Sequence, residues 1–271
     1  MIEVPTRFRP HIRWEYPPNN KLIFEEWFFD RYNKADNKSD RVYLPVFPTS
    51  YQVNSRYGND KSAMQRFERY FQQLDRRKKY FVICQYDDSI LCKTFDLDVK
   101  IFGSGGGRID FPIPLMCQPQ PFTFEPDKSV FASFRGAMNH QVRHEMFAAL
   151  KGIEKYDVSD DKLPIREYCE LMAKSTFALC PRGYGQSSFR ICEALQYGAI
   201  PVYISDHFII PFNKDFNEYG VTIHSDQVHN LDKILSAIPL CDIYKKREAG
   251  KKAYAEMFSY EGCYKQIMEN I

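Results

Sequence analysis

The stretch Phe177-Ala178-Leu179-Cys180-Pro181-Arg182-Gly183-Tyr184-Gly185-Gln186-Ser187-Ser188-Phe189-Arg190-Ile191-Cys192-Glu193-Ala194-Leu195 decides the fold. Its first residues form a short apolar run that reads as a buried strand. Pro181, Gly183 and Gly185 then force a tight turn. A helix follows, opened by Ser187 or Ser188, either of which offers an oxygen to the first turn. A strand that passes through a glycine turn into a helix leaves backbone N–H groups at the helix start, and the helix dipole adds positive potential there. With Arg182 and Arg190 beside it, this arrangement suits a diphosphate. Glu193 stands about one and a half turns into the helix, where a carboxylate accepts hydrogen bonds from a ribose. Taken alone, the same residues also describe a plain glycine turn with a serine cap.

Strand and helix patterns alternate outward from this stretch. Val130 to Phe134 reads as a strand, Asn139 to Leu150 and Ile165 to Ala173 as helices, Ile200 to Ile204 and Val221 to His224 as strands. Residues 226–237 and 240–258 and a last segment toward Ile271 read as helical. Toward the N-terminus, the spacing predicts a helix from Lys21 to Lys34, a buried strand over Arg41 to Phe47, a polar helix from Ser62 to Lys78 and a strand over Tyr80 to Cys84. That strand ends in the polar loop Gln85-Tyr86-Asp87-Asp88. Residues 1–20, with four prolines, read as an extended arm. Between Gly103 and Pro126 a glycine run, read as a flexible turn, gives way to repeated prolines that allow neither helix nor central strand, so the boundary falls there.

Such alternation is the signature of parallel α/β packing. It predicts two Rossmann-like, doubly wound α/β domains with a cleft between them. Residues 1–120 form one domain, 121–255 the other, and 256–271 a helix that packs back on the first. Ligands in such sheets bind beyond the carboxyl ends of the strands, where the winding reverses.

Composition excludes several functions. Lys and Arg number 37 against 35 Asp and Glu, a formal charge of +2. A nucleic-acid binder, or a protein held on acidic lipid, carries a basic excess, and the short run Arg76-Arg77-Lys78-Lys79 is a solvated face. No apolar segment approaches the roughly 20 residues of a membrane span. The eight Cys stand singly, without C-x-x-C pairs or nearby His partners, which fits a reduced, soluble, cytoplasmic chain without disulfides or zinc. Aromatic residues reach 15% and supply both a large apolar core and flat faces on which sugars or bases stack.

Together with Gly198-Ala199-Ile200-Pro201-Val202-Tyr203-Ile204-Ser205-Asp206 and Pro211-Phe212, the opening stretch resembles the donor-binding signature of the exostosin-type glycosyltransferases, family GT47. That signature runs as a strand, Cys-Pro-x-Gly, Ser-x-Arg, Glu-Ala, Gly-x-x-Pro-Val and Ser-Asp. Asp40 leading into Arg41 to Val46, Asp110-Phe111-Pro112-Ile113-Pro114, and Phe134-Arg135-Gly136 followed by Arg143 are similar to further family segments. Tyr80 to Asp87 resembles another, with Tyr80 and Tyr86 where the family usually has His.

The resemblance implies a GT-B fold and an inverting transfer from a UDP-sugar to a glycan hydroxyl by single displacement. Such a reaction needs a base for the acceptor proton, positive charge for the diphosphate and a cleft that excludes water. Arg135, Arg143, Arg182 and Arg190, with Gly183, Tyr184, Gly185, Ser187, Ser188 and Glu193, are the donor-binding candidates; Arg143 also reads as a solvated helical arginine. Asp87 is the candidate base and Asp88 its substitute, although an Asp there also caps a helix. His140 and His144 are alternatives from the donor half, and Asp206 and His207 are placed to touch donor or acceptor. No metal or cofactor is expected: Asp96-Leu97-Asp98 spells a metal-binding triplet in the wrong half, and Gly103 to Arg108 lacks the third glycine of a dinucleotide loop. The compact chain is similar to the soluble exostosin-like enzymes of large algal viruses, which makes UDP-xylose the first donor to test. A lumenal Golgi domain cut from its anchor has the same appearance. A catalytically silent sugar-binding protein and a nucleotide-dependent oxidoreductase are the competing functions.

Overall fold

In a computed structural model, which describes residues 2–12, 22–36, 39–94, 96–125 and 127–271, two parallel sheets carry the chain. Phe95, Pro126, residues 13–20 of the expected arm and the expected helix start at Lys21 lie outside the described residues.

The first sheet has the order β1 (Val42–Tyr43), β2 (Lys79–Cys84), β3 (Asp98–Gly103), β4 (Phe111–Pro112), all parallel. From Tyr80 to Cys84 β2 is buried, because both of its faces are covered. Phe81 and Ile83 pack with Phe24 and Phe28 of α1 (Phe24–Asn33). Tyr80, Val82 and Cys84 pack with Val53 of α2 (Pro48–Asn54) and Phe67 and Phe71 of α3 (Lys61–Gln72). Val4 and Phe8 of the N-terminal segment close this second face.

The expected strand over Arg41 to Phe47 pairs through only two residues. Pro45 has no N–H to give to a ladder, and Pro48 opens α2 at a position that favours proline. β3 is absent from the sequence pattern because Asp98 and Lys100 break its apolar run; the Lys100 ammonium reaches the Asn270 carbonyl at 2.5 Å. The glycine run is not a flexible turn: Gly103 ends β3, and Ser104 and Gly105 are buried.

The second sheet has the order β6 (Tyr156–Ser159), β5 (Val130–Arg135), β7 (Ser175–Pro181), β8 (Ile200–Ser205), β9 (Val221–His224). Its winding reverses between β5 and β7, the place where doubly wound sheets bind ligands. Helices α4 (Gln141–Leu150) and α7 (Leu231–Ser236) share one core with this sheet. α5 (Ile165–Lys174), α6 (Phe189–Gln196) and α8 (Leu240–Ala253) complete the half. With helices on both faces of both sheets and a cleft at their carboxyl ends, the architecture is that of a GT-B protein.

The last helix, α9 (Tyr260–Glu269), returns to α1. Arg31 grips the Glu261 carboxylate with two bonds at 3.0 and 2.9 Å, and the Tyr260 hydroxyl donates to the Leu22 carbonyl at 2.9 Å. Because that ion pair is partly exposed it adds little by itself; Phe24, Trp27 and Phe28 against Tyr260 and Tyr264 carry the contact. All eight cysteines are free thiols, seven of them buried. No helix among the described residues is long and apolar enough to cross a membrane.

Candidate active site

Arg190, in the first turn of α6, explains the Phe134-Arg135-Gly136 segment residue by residue. Its guanidinium lies over the Phe134 ring, 4.5 Å from the centroid, and donates to the Arg135 carbonyl. A Cβ at Gly136 would stand 2.3 Å from its Nη2, so the glycine leaves the arginine its place. Three of the nominated arginines, Arg135, Arg182 and Arg190, leave a buried Nε without a partner among the described residues. All three surround the reversal between β5 and β7. Arg135 pairs with Asp157 and Arg182 with Asp206, so a diphosphate here would share donors with two carboxylates. The Arg182 bond holds Asp206 below its ordinary pKa, although burial works against it.

Arg143 corrects one sequence reading, since it is buried and not a solvated helical arginine. Its buried guanidinium donates to the carbonyls of Ala137 at 2.7 Å, Arg182 at 3.0 Å and Pro181 at 3.3 Å. Burial, then Arg190, pull its pKa down to about 10, still charged at neutral pH. Arg143 therefore fixes the turn that Gly183 begins, and Gly183 is small because a Cβ would meet its Nη2 at 3.0 Å. Glu193 accepts the Tyr168 hydroxyl at 2.6 Å, so its carboxylate is engaged within its own half. Ser188 has the backbone of a cap but makes no side-chain cap bond, which leaves the start of α6 uncapped by its own serine. Ser187 lies beside the Tyr203 hydroxyl, which donates to the Gln186 carbonyl at 2.9 Å and accepts from the Ile209 N–H at 3.1 Å.

His140 caps α4, its Nδ1 accepting from the Val142 N–H at 3.2 Å. Burial, then Arg182, lower its pKa. With Nδ1 engaged in the cap, Nε2 is the ring nitrogen left to meet a ligand.

Across the cleft, Asp87 sits against the donor loop. A Cβ on Gly185 would fall 2.0 Å from its Oδ1. The Tyr184 hydroxyl donates to the Asp88 carboxylate at 3.1 Å, and Gly106 packs on the Gln186 side chain. Two glycine loops, one from each half, therefore meet with Asp87 between them. The loop of Gly103 to Gly107, discounted as a nucleotide motif, holds the Asp87 segment: the Gly106 N–H donates to the Asp87 carbonyl at 2.7 Å. Side chains at Gly105 and Gly107 would strike the carbonyls of Asp87 and Asp88 at 2.1 and 2.0 Å.

Residues that sequence reasoning missed anchor the Asp87 segment from below. Gln85 donates to the Pro114 carbonyl at 3.1 Å and accepts the Met116 N–H at 2.6 Å. Its own N–H reaches Glu25 at 2.9 Å, and Glu25 also takes the Thr49 hydroxyl at 2.5 Å. Burial pushes the Glu25 carboxyl up to about 8, against the pull of these bonds. No signal in the sequence marked it, because Glu26, Asp30 and Arg31 charge the same helix.

The chain matches the Exostosin GT47 domain over residues 87–238. It is similar to a probable glucuronosyltransferase of rice (Oryza sativa subsp. japonica), Os01g0926600, at 34% identity over 137 residues, 45% of this chain and 32% of that protein. Probable beta-1,4-xylosyltransferase IRX10 of Arabidopsis thaliana is 32% identical over 154 residues, 50% of this chain and 37% of that protein. These matches span about a third of the length of the curated relatives. Among solved structures, TarM aligns with a TM-score of 0.45 and 6% identity over 76% of this chain and 53% of that one.

Proposed function

The chain belongs to the exostosin GT47 family, and we propose that it is an inverting glycosyltransferase that moves a sugar from a UDP-sugar to a hydroxyl of a glycan. The observation that carries this reading is the meeting of Asp87 with Gly185, which sets a carboxylate of one half against the diphosphate loop of the other. In the proposed step an acceptor hydroxyl oxygen forms its bond to the anomeric carbon as the bond from that carbon to the diphosphate oxygen breaks. The departing UDP keeps the electron pair, and Asp87 receives the hydroxyl proton. Arg190, Arg182, Arg135 and the N–H groups at the start of α6 offset the charge that develops on the diphosphate. Arginines and a helix terminus supply that charge without a metal in this reading.

The names of the relatives, glucuronosyltransferase and xylosyltransferase, support a UDP-activated uronate or pentose as donor, with UDP-xylose tested first. The test is a thermal shift with UDP, UDP-xylose, UDP-glucuronate, GDP and CMP, each with and without EDTA. A ligand that binds only the folded state raises the melting temperature. A UDP-specific rise that survives EDTA is expected. A rise with GDP alone overturns the donor, and one that EDTA abolishes overturns the metal-free mechanism.

A further inference from the structure

Between α2 and α3 the chain turns through Arg56, Tyr57 and Gly58, with φ of 55°, 55° and 80°. Glycine adopts this left-handed backbone freely, whereas arginine and tyrosine do so at a cost. Strain of this kind persists where the surroundings over-determine it, and it gathers at binding and catalytic sites.

The surroundings here are identifiable. The Gly58 N–H donates to the Gln52 carbonyl at 3.0 Å, and the Asn59 side chain donates to the Arg56 carbonyl at 2.9 Å. Fully buried Gln52 ties this turn to the segment that follows Asp88: its Nε2 donates to the Ser89 carbonyl at 2.9 Å, and its Oε1 accepts the Leu91 N–H at 2.8 Å. Ser89 is itself left-handed, with φ of 60°. Gly58 is packed so closely that a Cβ would lie 2.4 Å from Leu91 Cδ1.

The turn therefore brings Gly58 against Leu91, so that Tyr57, 52% exposed, and Leu91, 43% exposed, come from two neighbouring segments beside Asp88. Buried Tyr86 connects them to the site. Burial, then Asp88, Tyr184, Asp87 and Tyr57, push its phenol up to about 12. Tyr184, 72% exposed, reaches over from the donor half.

We propose that Tyr57, Leu91 and Tyr184 form a stacking rim that holds an oligosaccharide acceptor over Asp87, a role that rests on the transferase reading above. The chemistry fits a sugar. A pyranose offers an apolar C–H face to aromatic and aliphatic side chains and a hydroxyl edge to phenols and to the Asp88 carboxylate. The strained turn is what presents Tyr57 to it.

Tyr57→Gly separates this role from a structural one, because it removes the ring and relieves the left-handed backbone together. The probes are xylo-, cello- and chito-oligosaccharides and a uronate-bearing xylo-oligosaccharide, followed by saturation-transfer NMR and by UDP release. Expected are a melting temperature no lower than wild type, an unchanged UDP shift, and an acceptor KM raised about tenfold, the factor that about 1.4 kcal/mol represents, with kcat little altered. Tyr57→Phe should restore KM. A lower melting temperature for Tyr57→Gly makes the turn structural and overturns the proposal, as does equal saturation of the sugars by both proteins or by neither. If wild type shows no UDP shift yet binds sugars in a Tyr57-dependent way, the rim stands as a saccharide site and the transferase reading falls.

Discussion

Both halves place their working residues at the carboxyl ends of parallel strands, but they make the crevice differently. In the C-terminal sheet the order β6-β5-β7-β8-β9 reverses between β5 and β7, so the winding itself opens a crevice. Its walls come from short segments, Phe134 to Gly136 and Cys180 to Arg190, whose members act on one another. The N-terminal sheet runs β1-β2-β3-β4 without a reversal among the described strands. There the wall is assembled from loops. The Asp87 segment after β2 and the turn after α2 are held by Gln52, Gln85 and Glu25, which come from distant parts of the chain, and the glycine loop after β3 joins them through the bond from the Gly106 N–H to the Asp87 carbonyl. A crevice that follows from winding can be written in a local motif, whereas one built from loops depends on buried polar anchors.

The sharpest way to break this contrast is Asp87→Asn. If the N-terminal half contributes the base and the C-terminal half the donor site, transfer falls about 100- to 10,000-fold while the UDP thermal shift is retained. UDP release with acceptor measures the first and a melting curve the second. Normal transfer would remove Asp87 and leave Asp88 as the carboxylate to test.

The next largest effect concerns the anchor under that base. The Glu25 carboxyl has a pKa raised by burial from 4.5 to about 8, so the folded protein holds this proton more tightly than the unfolded chain does. Its contribution to stability is complete below about pH 4.5 and disappears as the pH rises through about 8. Glu26 is shifted in the same direction, first by burial and despite its bond to His11, and adds to the slope. Denaturant titrations of wild type and Glu25→Gln between pH 5 and pH 9 should therefore diverge, with wild type losing stability relative to the variant as pH rises. Parallel curves would mean that Glu25 is ionised in the fold, held by Thr49 and Gln85.

A smaller effect sharpens the description of the donor half. Arg190→Lys keeps the charge but loses the planar fork that stacks on Phe134 and bonds the Arg135 carbonyl, and it should weaken UDP binding about tenfold. Arg143→Lys removes the brace of the turn instead, so it should lower the melting temperature at least as much as it lowers UDP affinity. Calorimetric titration with UDP, together with melting curves, distinguishes the two. Identical profiles would show that the two arginines do not divide binding from framing.

Much of the donor half was legible. Val221–His224 has the bounds that alternation predicts, and the strand, turn and helix from Ser175 to Gln196 differ from expectation only at their ends. Continuous apolar runs between helices mark buried parallel strands, and glycine with serine marks the turn. β6 was missed because Tyr156 is the one buried residue of its four, leaving no apolar pattern to read. In the acceptor half β3, β4 and α2 went unread. Charges interrupt β3, β4 pairs through Phe111 and Pro112 alone, and α2 begins at a proline that looked like the continuation of a strand.

By itself the sequence determined the main element types, the parallel α/β class, the location of the glycine turn between β7 and α6 and the list of carboxylates and arginines around it. These depend on periodicity and on spacing within a few turns of chain. Only the tertiary structure decided that Arg143 frames the turn, that Glu193 is tied to Tyr168, that Gly105 and Gly107 are small to admit the carbonyls of Asp87 and Asp88, and that Asp87 meets Gly185. Each of those facts is a contact between segments far apart in the chain. Close packing and the need to pair buried polar groups select such contacts, and neither leaves a periodic trace in the sequence.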